Sequence, residues 1–400
     1  MRLRIAIAAC AGLGAALGCA RQPCAEHCAA GHAGSEAAAP LPAAFRAFDA
    51  NRDGAVELAE VPEPVRPFYA LADANGDRVL QLEEFRAFLD DPGGAARQPL
   101  PENVELREGI PYAGSENPRQ RLDLYLPRAR AVAGPLPVIA YVHGGAWSMG
   151  SRVMARPDVA PHVATGRYAA VSIGYRLSDE AHWPAQIHDA KAGLRWIRAH
   201  AAELGLDPRR ICAMGSSAGG HLAAVLGTGN EVAALSGALG PHLAEASDVQ
   251  CAIDLFGPTD LTLPEPGSRR VTLSGQPSSR ELLLGAPIGS QPALEREASP
   301  LHQVTRGDPP FLIIHGTRDP LVAYEDSVAL ARALRAAGVR VYLQTIEGGG
   351  HGDFLALPEI SRRVGLFLEQ TFYASKTPVP TDTLVFEPPP AALPAAAGAR

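Results

Sequence analysis

Positive charge is in short supply. The 400-residue chain carries 36 Lys and Arg against 43 Asp and Glu, a formal net charge of −7. A nucleic-acid binder needs a basic face to neutralise phosphates, and docking on anionic lipid needs one too, so this balance argues against both. Cysteine is sparse as well. Six in a chain this long do not frame a small disulfide-held scaffold. The apolar stretch Ile5–Gly18 is too short for a membrane span, which needs about 20 residues. Apolar residues are not lacking: they make up 46% of the chain, enough for a sizeable core.

The N-terminus reads as an export signal. Arg2 and Arg4 precede the apolar stretch, as in a secretory leader. Ala16-Leu17-Gly18-Cys19 resembles a lipobox, with leucine one position later than usual, so lipidation at Cys19 is expected; an ordinary cleaved signal is the alternative. The implied location is outside the cytoplasm: periplasmic, held to a membrane as a lipoprotein, or extracellular. Residues 1–18 are assigned to the signal and 19–43 to an Ala/Gly/Pro-rich tether. In the tether, Cys24 and Cys28 lie near His27 and His32. A metal site, a local disulfide and incidental cysteines all remain open there, but the Cys-x-x-Cys-His spacing of covalent haem is absent.

Residues 44–90 carry two acidic loops in the EF-hand pattern, forming a small α-helical module. In Asp49–Glu60, oxygens would come from Asp49, Asn51, Asp53, the Ala55 carbonyl, Glu57 and Glu60, with Gly54 at the bend. In Asp73–Glu84 they would come from Asp73, Asn75, Asp77, the Val79 carbonyl, Gln81 and Glu84. Arg78 stands where the glycine is expected, so weaker Ca²⁺ binding is anticipated there. Pro62, Pro64 and Pro67 interrupt the connection, which suggests a compact pair. Glutamate at the last loop position argues against a dockerin.

Residues 91–101 read as a linker, and residues from 102 to 373 have a βαβ rhythm. Leu136–His143, Tyr168–Tyr175, Arg210–Gly215, Gln250–Phe256 and Pro310–His315 look like strands buried on both faces. Arg121–Leu126 alternates like a half-exposed strand. Ala185–Leu204 and Glu325–Ala337 have helical periodicity, stopped by Gly205 and Gly338. The fold class expected is α/β, a mostly parallel sheet with helices on both faces. Buried free thiols are expected at Cys212 and Cys251, and a disordered tail at 374–400.

The chemistry-bearing signal is Gly215-Ser216-Ser217-Ala218-Gly219, between a strand and a helix. That sharp turn exposes a serine in a strained conformation, and the flanking glycines avoid collisions with backbone. His143-Gly144-Gly145-Ala146-Trp147 follows an earlier strand. Its bare N–H groups, with Gly144, Gly145 and Ala146 all open as the main donor, would join that of Ala218 in an oxyanion hole. Asp319 follows the strand Pro310–His315, and His351 lies in the glycine-rich run after Val339–Ile346, giving the order serine, acid, histidine. His351 would take the Ser217 proton, and Asp319 would hold the imidazole tautomer. Asp260 is the runner-up acid. His143, His188, His221 and His315 read as packing or hydrogen-bonding residues, and Asp189 as a tie to a neighbouring element. Trp147, Tyr175 and Trp183 fit either a substrate pocket or the core.

Together, Leu122-Asp123-Leu124-Tyr125-Leu126-Pro127, the His143–Trp147 loop, Gly174-Tyr175-Arg176-Leu177, the Ser217 turn, the Asp319 loop and His351 resemble the carboxylesterase branch of the α/β-hydrolases that includes BD-FAE and hormone-sensitive-lipase-like enzymes. The resemblance spans about 250 residues and implies cofactor-free hydrolysis of carboxylic esters. Ala146 stands where hormone-sensitive-lipase relatives carry a third glycine, which favours the BD-FAE or kynurenine-formamidase side. The expected substrate is a small-molecule or polysaccharide-linked ester with a short acyl or aryl group. Two alternatives stay open: an arylformamidase-like amidohydrolase using the same three residues, and a calcium-dependent surface-binding protein. No region large enough for a prolyl-oligopeptidase propeller precedes the hydrolase part.

Overall fold

The computed structural model describes residues 45, 49, 51–60, 72, 73, 75–90, 98–264 and 277–387. The signal, the whole tether, residues 91–97 of the linker, Cys10, Cys19, Cys24 and Cys28, and Pro62, Pro64 and Pro67 between the acidic loops lie outside the described residues.

In the acidic module, β1 (Ala55–Glu57) pairs antiparallel with β2 (Val79–Gln81), Val56 facing Leu80. A helix, Leu82–Asp90, follows β2 directly. Val56 and Leu80 are buried, and the Phe45 and Phe85 rings pack 5.4 Å apart.

The larger part is built on β3 (Val104–Pro111), β4 (Arg121–Pro127), β5 (Leu136–Val142), β6 (Ala169–Ile173), β7 (Leu206–Ser216), β8 (Cys251–Leu255), β9 (Phe311–Gly316), β10 (Val341–Glu347) and β11 (Leu384–Val385). Their order across the sheet is β11-β10-β9-β8-β7-β5-β6-β4-β3. From β6 to β11 every neighbouring pair is parallel; β4 is antiparallel to both β6 and β3. The parallel strands β5, β6, β8 and β9 are buried along their whole length. This is why they read as continuous apolar runs: parallel strands linked by crossover helices are covered on both faces.

Several expectations change. The pairing segment β4 is not half exposed. Leu122, Asp123, Leu124 and Tyr125 are all buried, because the strand lies between β3 and β6. The helix expected over 185–204 is broken at His200, which leaves helical geometry at φ −103° with its ring stacked 4.1 Å from Trp196; one helix runs Ala185–Ala199 and a short second one Ala201–Leu204. Gly205 and Gly338 do take left-handed φ, +65° and +83°. The tail is ordered from Ala374 to Glu387, where β11 pairs with β10 and Val379 is buried. The tie is Arg363, on the helix Pro358–Tyr373. It reaches Gln344 on β10 and both the carbonyl and the carboxylate of Asp382. A Pro- and Ala-rich composition hides such point contacts. Cys212 and Cys251 are buried free thiols in register on β7 and β8. No helix among the described residues is long and apolar enough to cross a membrane.

Candidate active site

Loops at the carboxyl ends of four strands converge. In an open parallel sheet this edge is where crossovers leave a crevice. Ser217 follows β7 and opens the helix Ala218–Thr228 with φ 56° and ψ −122°, a conformation costly for any side chain. Its N–H is held by the Leu255 carbonyl at 2.8 Å. The flanking glycines are required by space. A methyl group on Gly215 would enter the Gly219 backbone, and one on Gly219 the Val142 carbonyl.

Asp319 and His351 come to this serine from loops after β9 and β10. His351 Nε2 lies 2.9 Å from Ser217 Oγ, and its Nδ1 lies 2.7 Å from Asp319 Oδ2. The loop after β10 can carry the imidazole back because Gly348 and Gly352 adopt φ of +82° and +83°. The three residues therefore form one hydrogen-bonded line. Asp319 Oδ1 accepts the N–H groups of Leu321 and Val322, at 2.8 and 2.9 Å. Burial acts to raise the Asp319 pKa, but the donors His315, His351 and the Val322 N–H outweigh it and hold the carboxyl well below the usual carboxylate range. The runner-up acid, Asp260, is elsewhere: its Oδ1 takes the Thr262 N–H and hydroxyl and faces His302 Nε2 at 3.3 Å.

The loop after β5 is tightly constrained. Gly145, Ala146 and Trp147 have φ of 110°, 51° and 55°. The carbonyl of His143 accepts the Tyr175 hydroxyl at 3.0 Å, and that of Gly144 faces His143 Nδ1 at 2.7 Å. Burial lowers the His143 pKa to about 3, so its ring is neutral and donates from Nδ1. Peptide planarity then turns the N–H groups of Gly144 and Gly145 away from those two contacts. A methyl group on Gly144 would sit 2.7 Å from the Ser216 carbonyl oxygen and 3.4 Å from Ser217 Cβ, so this loop passes directly over the Ser217 turn.

Trp147, Tyr175 and Trp183 prove to be core residues rather than pocket walls, all nearly inaccessible. Trp147 Nε1 donates to His221 Nδ1 at 3.2 Å, and His221 Nε2 donates to the Ala298 carbonyl at 2.6 Å. Burial lowers the His221 pKa to about 4, consistent with a neutral structural ring. His188 Nε2 contacts the Ala234 carbonyl. Asp189 ties its helix to Arg176 at 2.9 Å and to Gln120 at 2.9 Å. Two neighbours play a part at the site that the sequence did not reveal, although His315 reads there as a packing or hydrogen-bonding residue and does hydrogen-bond. Phe256, at φ 47°, stacks its ring edge-on 4.8 Å from His351, and His315 shares the Asp319 carboxylate. Phe256 closes the apolar run read as a strand, and nothing in that run marks its left-handed φ.

The acidic loops fold alike. Glu60 accepts the N–H groups of Asn51 and Glu57; Glu84 accepts those of Asn75 and Gln81. Asp49 accepts those of Asp53 and Gly54, and Asp73 those of Gly76 and Arg78. Gly54 and Arg78 both adopt left-handed φ, 87° and 69°, so Arg78 does occupy the strained bend position. Among the described residues no three His, Cys, Asp or Glu side chains are grouped as a metal site.

A strained serine at a strand–helix turn, fed by histidine and acid loops from later strands of a mostly parallel sheet, defines an α/β-hydrolase. Within that class the chain belongs to the BD-FAE family, whose profile matches residues 122–334, more than half its length. Esterase LipC of Mycobacterium tuberculosis is 33% identical over 266 residues, which cover 64% of this chain and 63% of LipC. The chain spans about three-fifths of the length of the curated relatives it matches. Among solved structures, a truncated carbohydrate esterase from gut microbiota aligns with TM-score 0.63 and 30% identity, over 68% of this chain and 99% of that one. A butyrate-bound esterase, Est2 of Thermogutta terrifontis, aligns with TM-score 0.55 and 27% identity, over 69% and 97%.

Proposed function

We propose that this protein is an exported serine carboxylesterase that hydrolyses short acyl or aryl esters, including esters carried on carbohydrate. The observation that carries the reading is the unbroken line from Asp319 through His351 to Ser217. His351 Nε2 takes the Ser217 proton as Oγ bonds to the ester carbonyl carbon. The tetrahedral oxyanion is met by the N–H groups of Gly144, Gly145 and Ala218. The intermediate collapses, the C–O bond to the alcohol breaks, and His351 returns its proton to that alcohol. Water then attacks the acyl-Ser217 carbonyl, again through His351, releasing the acid and restoring the serine. Nucleophile, base and donors all come from the chain, so this chemistry calls for no cofactor. The carbohydrate esterase and the butyrate-bound Est2 support the choice of substrate class.

The test is hydrolysis of p-nitrophenyl acetate, butyrate and octanoate by wild type and Ser217→Ala. Short-chain activity lost in the variant supports the reading. A folded wild type that is inert on all three, yet cleaves a formyl amide, would replace it with the amidohydrolase.

The proposal includes Ca²⁺ in the acidic loops, held by Asp49, Asn51, Asp53, the Ala55 carbonyl, Glu57 and Glu60, and by Asp73, Asn75, Asp77, the Val79 carbonyl and Glu84. A carboxylate oxygen that accepts one N–H keeps a second lone pair for a cation, and the matched folding of the two loops fits that use. The ion would supply structural support only. Identical melting with and without chelator would remove this part. Attachment through lipidated Cys19 is proposed on the leader pattern alone, and release of the protein into the soluble fraction by Cys19→Ser tests it.

A further inference from the structure

The carboxylate of Asp319 serves two histidines. Besides His351 Nδ1 at 2.7 Å, Asp319 Oδ2 lies 3.1 Å from His315 Nε2. His315 sits near the end of β9 and is fully buried. Its Nε2 also faces the Val322 carbonyl at 3.2 Å, and its Nδ1 lies 2.7 Å from Ser327 Oγ, on the helix Tyr324–Ala336. The partners decide the tautomer. Nε2 looks at two oxygens that cannot donate, so it carries a proton. A neutral ring then has a bare Nδ1, which takes the Ser327 hydroxyl hydrogen. The result is a directed line: Ser327 to His315, His315 to Asp319, and His351 to the same oxygen from the other side.

We propose that His315, oriented by Ser327, is a positioning residue for the esterase chemistry: it pins Asp319 Oδ2 in line with His351 and draws off part of the carboxylate charge. The proposal rests on the serine-esterase reading. A carboxylate that gives all its charge to one imidazole makes that imidazole a stronger base, whereas one already donated to by a second ring makes it weaker. His315 thus sets how readily His351 holds the proton taken from Ser217. Other groups facing His315 are Tyr324, whose ring edge is 5.8 Å away, Asp326 with its partner Arg280, and the apolar ring of Phe256 at 6.4 Å. Around His351 stand Ser217, Asp319, Phe256 and, two residues on, Asp353. Of these, only His315 and His351 donate from a side chain to Asp319.

The test compares His315→Leu, His315→Gln and Ser327→Ala with wild type, by kcat and KM on p-nitrophenyl acetate from pH 5 to 9 and by melting. Leucine removes the donor and keeps bulk. Glutamine returns an amide N–H near the Nε2 position. For His315→Leu, kcat should fall about 10- to 100-fold with little change in KM, the loss of one hydrogen bond to a charged group. The acid limb of kcat/KM should move up by roughly 0.5 to 1 pH unit, because His351 gains proton affinity. His315→Gln should recover much of the rate and of the limb, and Ser327→Ala should shift the limb less. A folded His315→Leu with the wild-type profile overturns the proposal. So does equal loss in the leucine and glutamine variants with an unmoved limb, which would mark packing alone. If the leucine variant does not fold, Ser327→Ala decides: a raised limb supports the proposal and an unmoved one ends it. Wild-type inactivity, or activity surviving Ser217→Ala, would instead defeat the esterase reading.

Discussion

The carboxyl of Asp254 gives a prediction whose sign and size follow from its surroundings. It lies on β8, fully buried beneath the Ser217 turn. Oδ1 accepts the Gly257 N–H at 2.8 Å, while Oδ2 has no partner. Burial, with a smaller contribution from nearby Asp326, pushes the pKa up to about 7 against the pull of the Gly257 N–H. In the unfolded chain the group ionises near pH 3.9. Between those values the native state holds a proton that the unfolded state has released, so stability falls as pH rises through this window. Three pH units at 1.36 kcal/mol each set an upper limit of about 4 kcal/mol, reached above pH 7 and absent below pH 4. Roughly 2 to 3 kcal/mol of it accrues between pH 5 and pH 8. Asp254→Asn keeps the shape and the acceptor for Gly257 but cannot ionise. The variant should therefore match wild type at pH 4 and exceed it progressively, by about 5 °C in Tm at pH 8. The assay is thermal unfolding of both proteins from pH 4 to 8.5, read as the difference at each pH, which cancels other titrating groups such as Asp158. A difference that stays flat with pH, or an asparagine variant less stable at pH 8, would refute the reasoning.

Three further outcomes are expected. Gly145→Ala, at φ 110° and with its methyl driven into the Met149 backbone, should displace the loop over Ser217; kcat on p-nitrophenyl butyrate should fall about 100- to 1000-fold, and an unchanged kcat would count against the proposed oxyanion hole. Arg363→Met should cost about 1 to 3 kcal/mol by denaturant unfolding, since it removes the donor to the buried Gln344 Oε1; the low end is favoured because Asp382 is 69% exposed and stays solvated. Truncation after Tyr373 removes β11, buried Val379 and the Asp382 partner of Arg363, so Tm should drop by several degrees, and the bared edge of β10 should promote aggregation, visible by light scattering.

Much of the fold was legible because burial on both faces writes itself into the chain. The apolar runs matched β5, β6, β8 and β9 to within two residues at each end, and Gly205 and Gly338 marked helix ends through their left-handed φ. Arg121–Leu126 misled because its alternation is real but its surroundings are not solvent: two neighbouring strands and packed helices cover both sides. The 374–387 segment misled in the other direction. Its order comes from one buried arginine and a short edge pairing, and neither leaves a periodic trace.

Motifs and their order along the chain set which chemistry was within reach. The glycines around Ser217 are dictated by sterics that hold wherever a strand turns sharply into a helix, and the order of serine, acid and histidine follows from the order of strands. Partnership, by contrast, emerged only on folding. Asp319 and the runner-up Asp260 both follow strand ends in the sequence, yet of the two only Asp319 reaches His351, because the neighbouring loop brings that ring to it. His315, four residues from Asp319, reads as a packing or hydrogen-bonding residue, and only the Ser327 hydroxyl and the Val322 carbonyl placed its two nitrogens. Hydrogen-bond direction depends on which acceptors surround a ring, and distant segments meet there only once the sheet has formed.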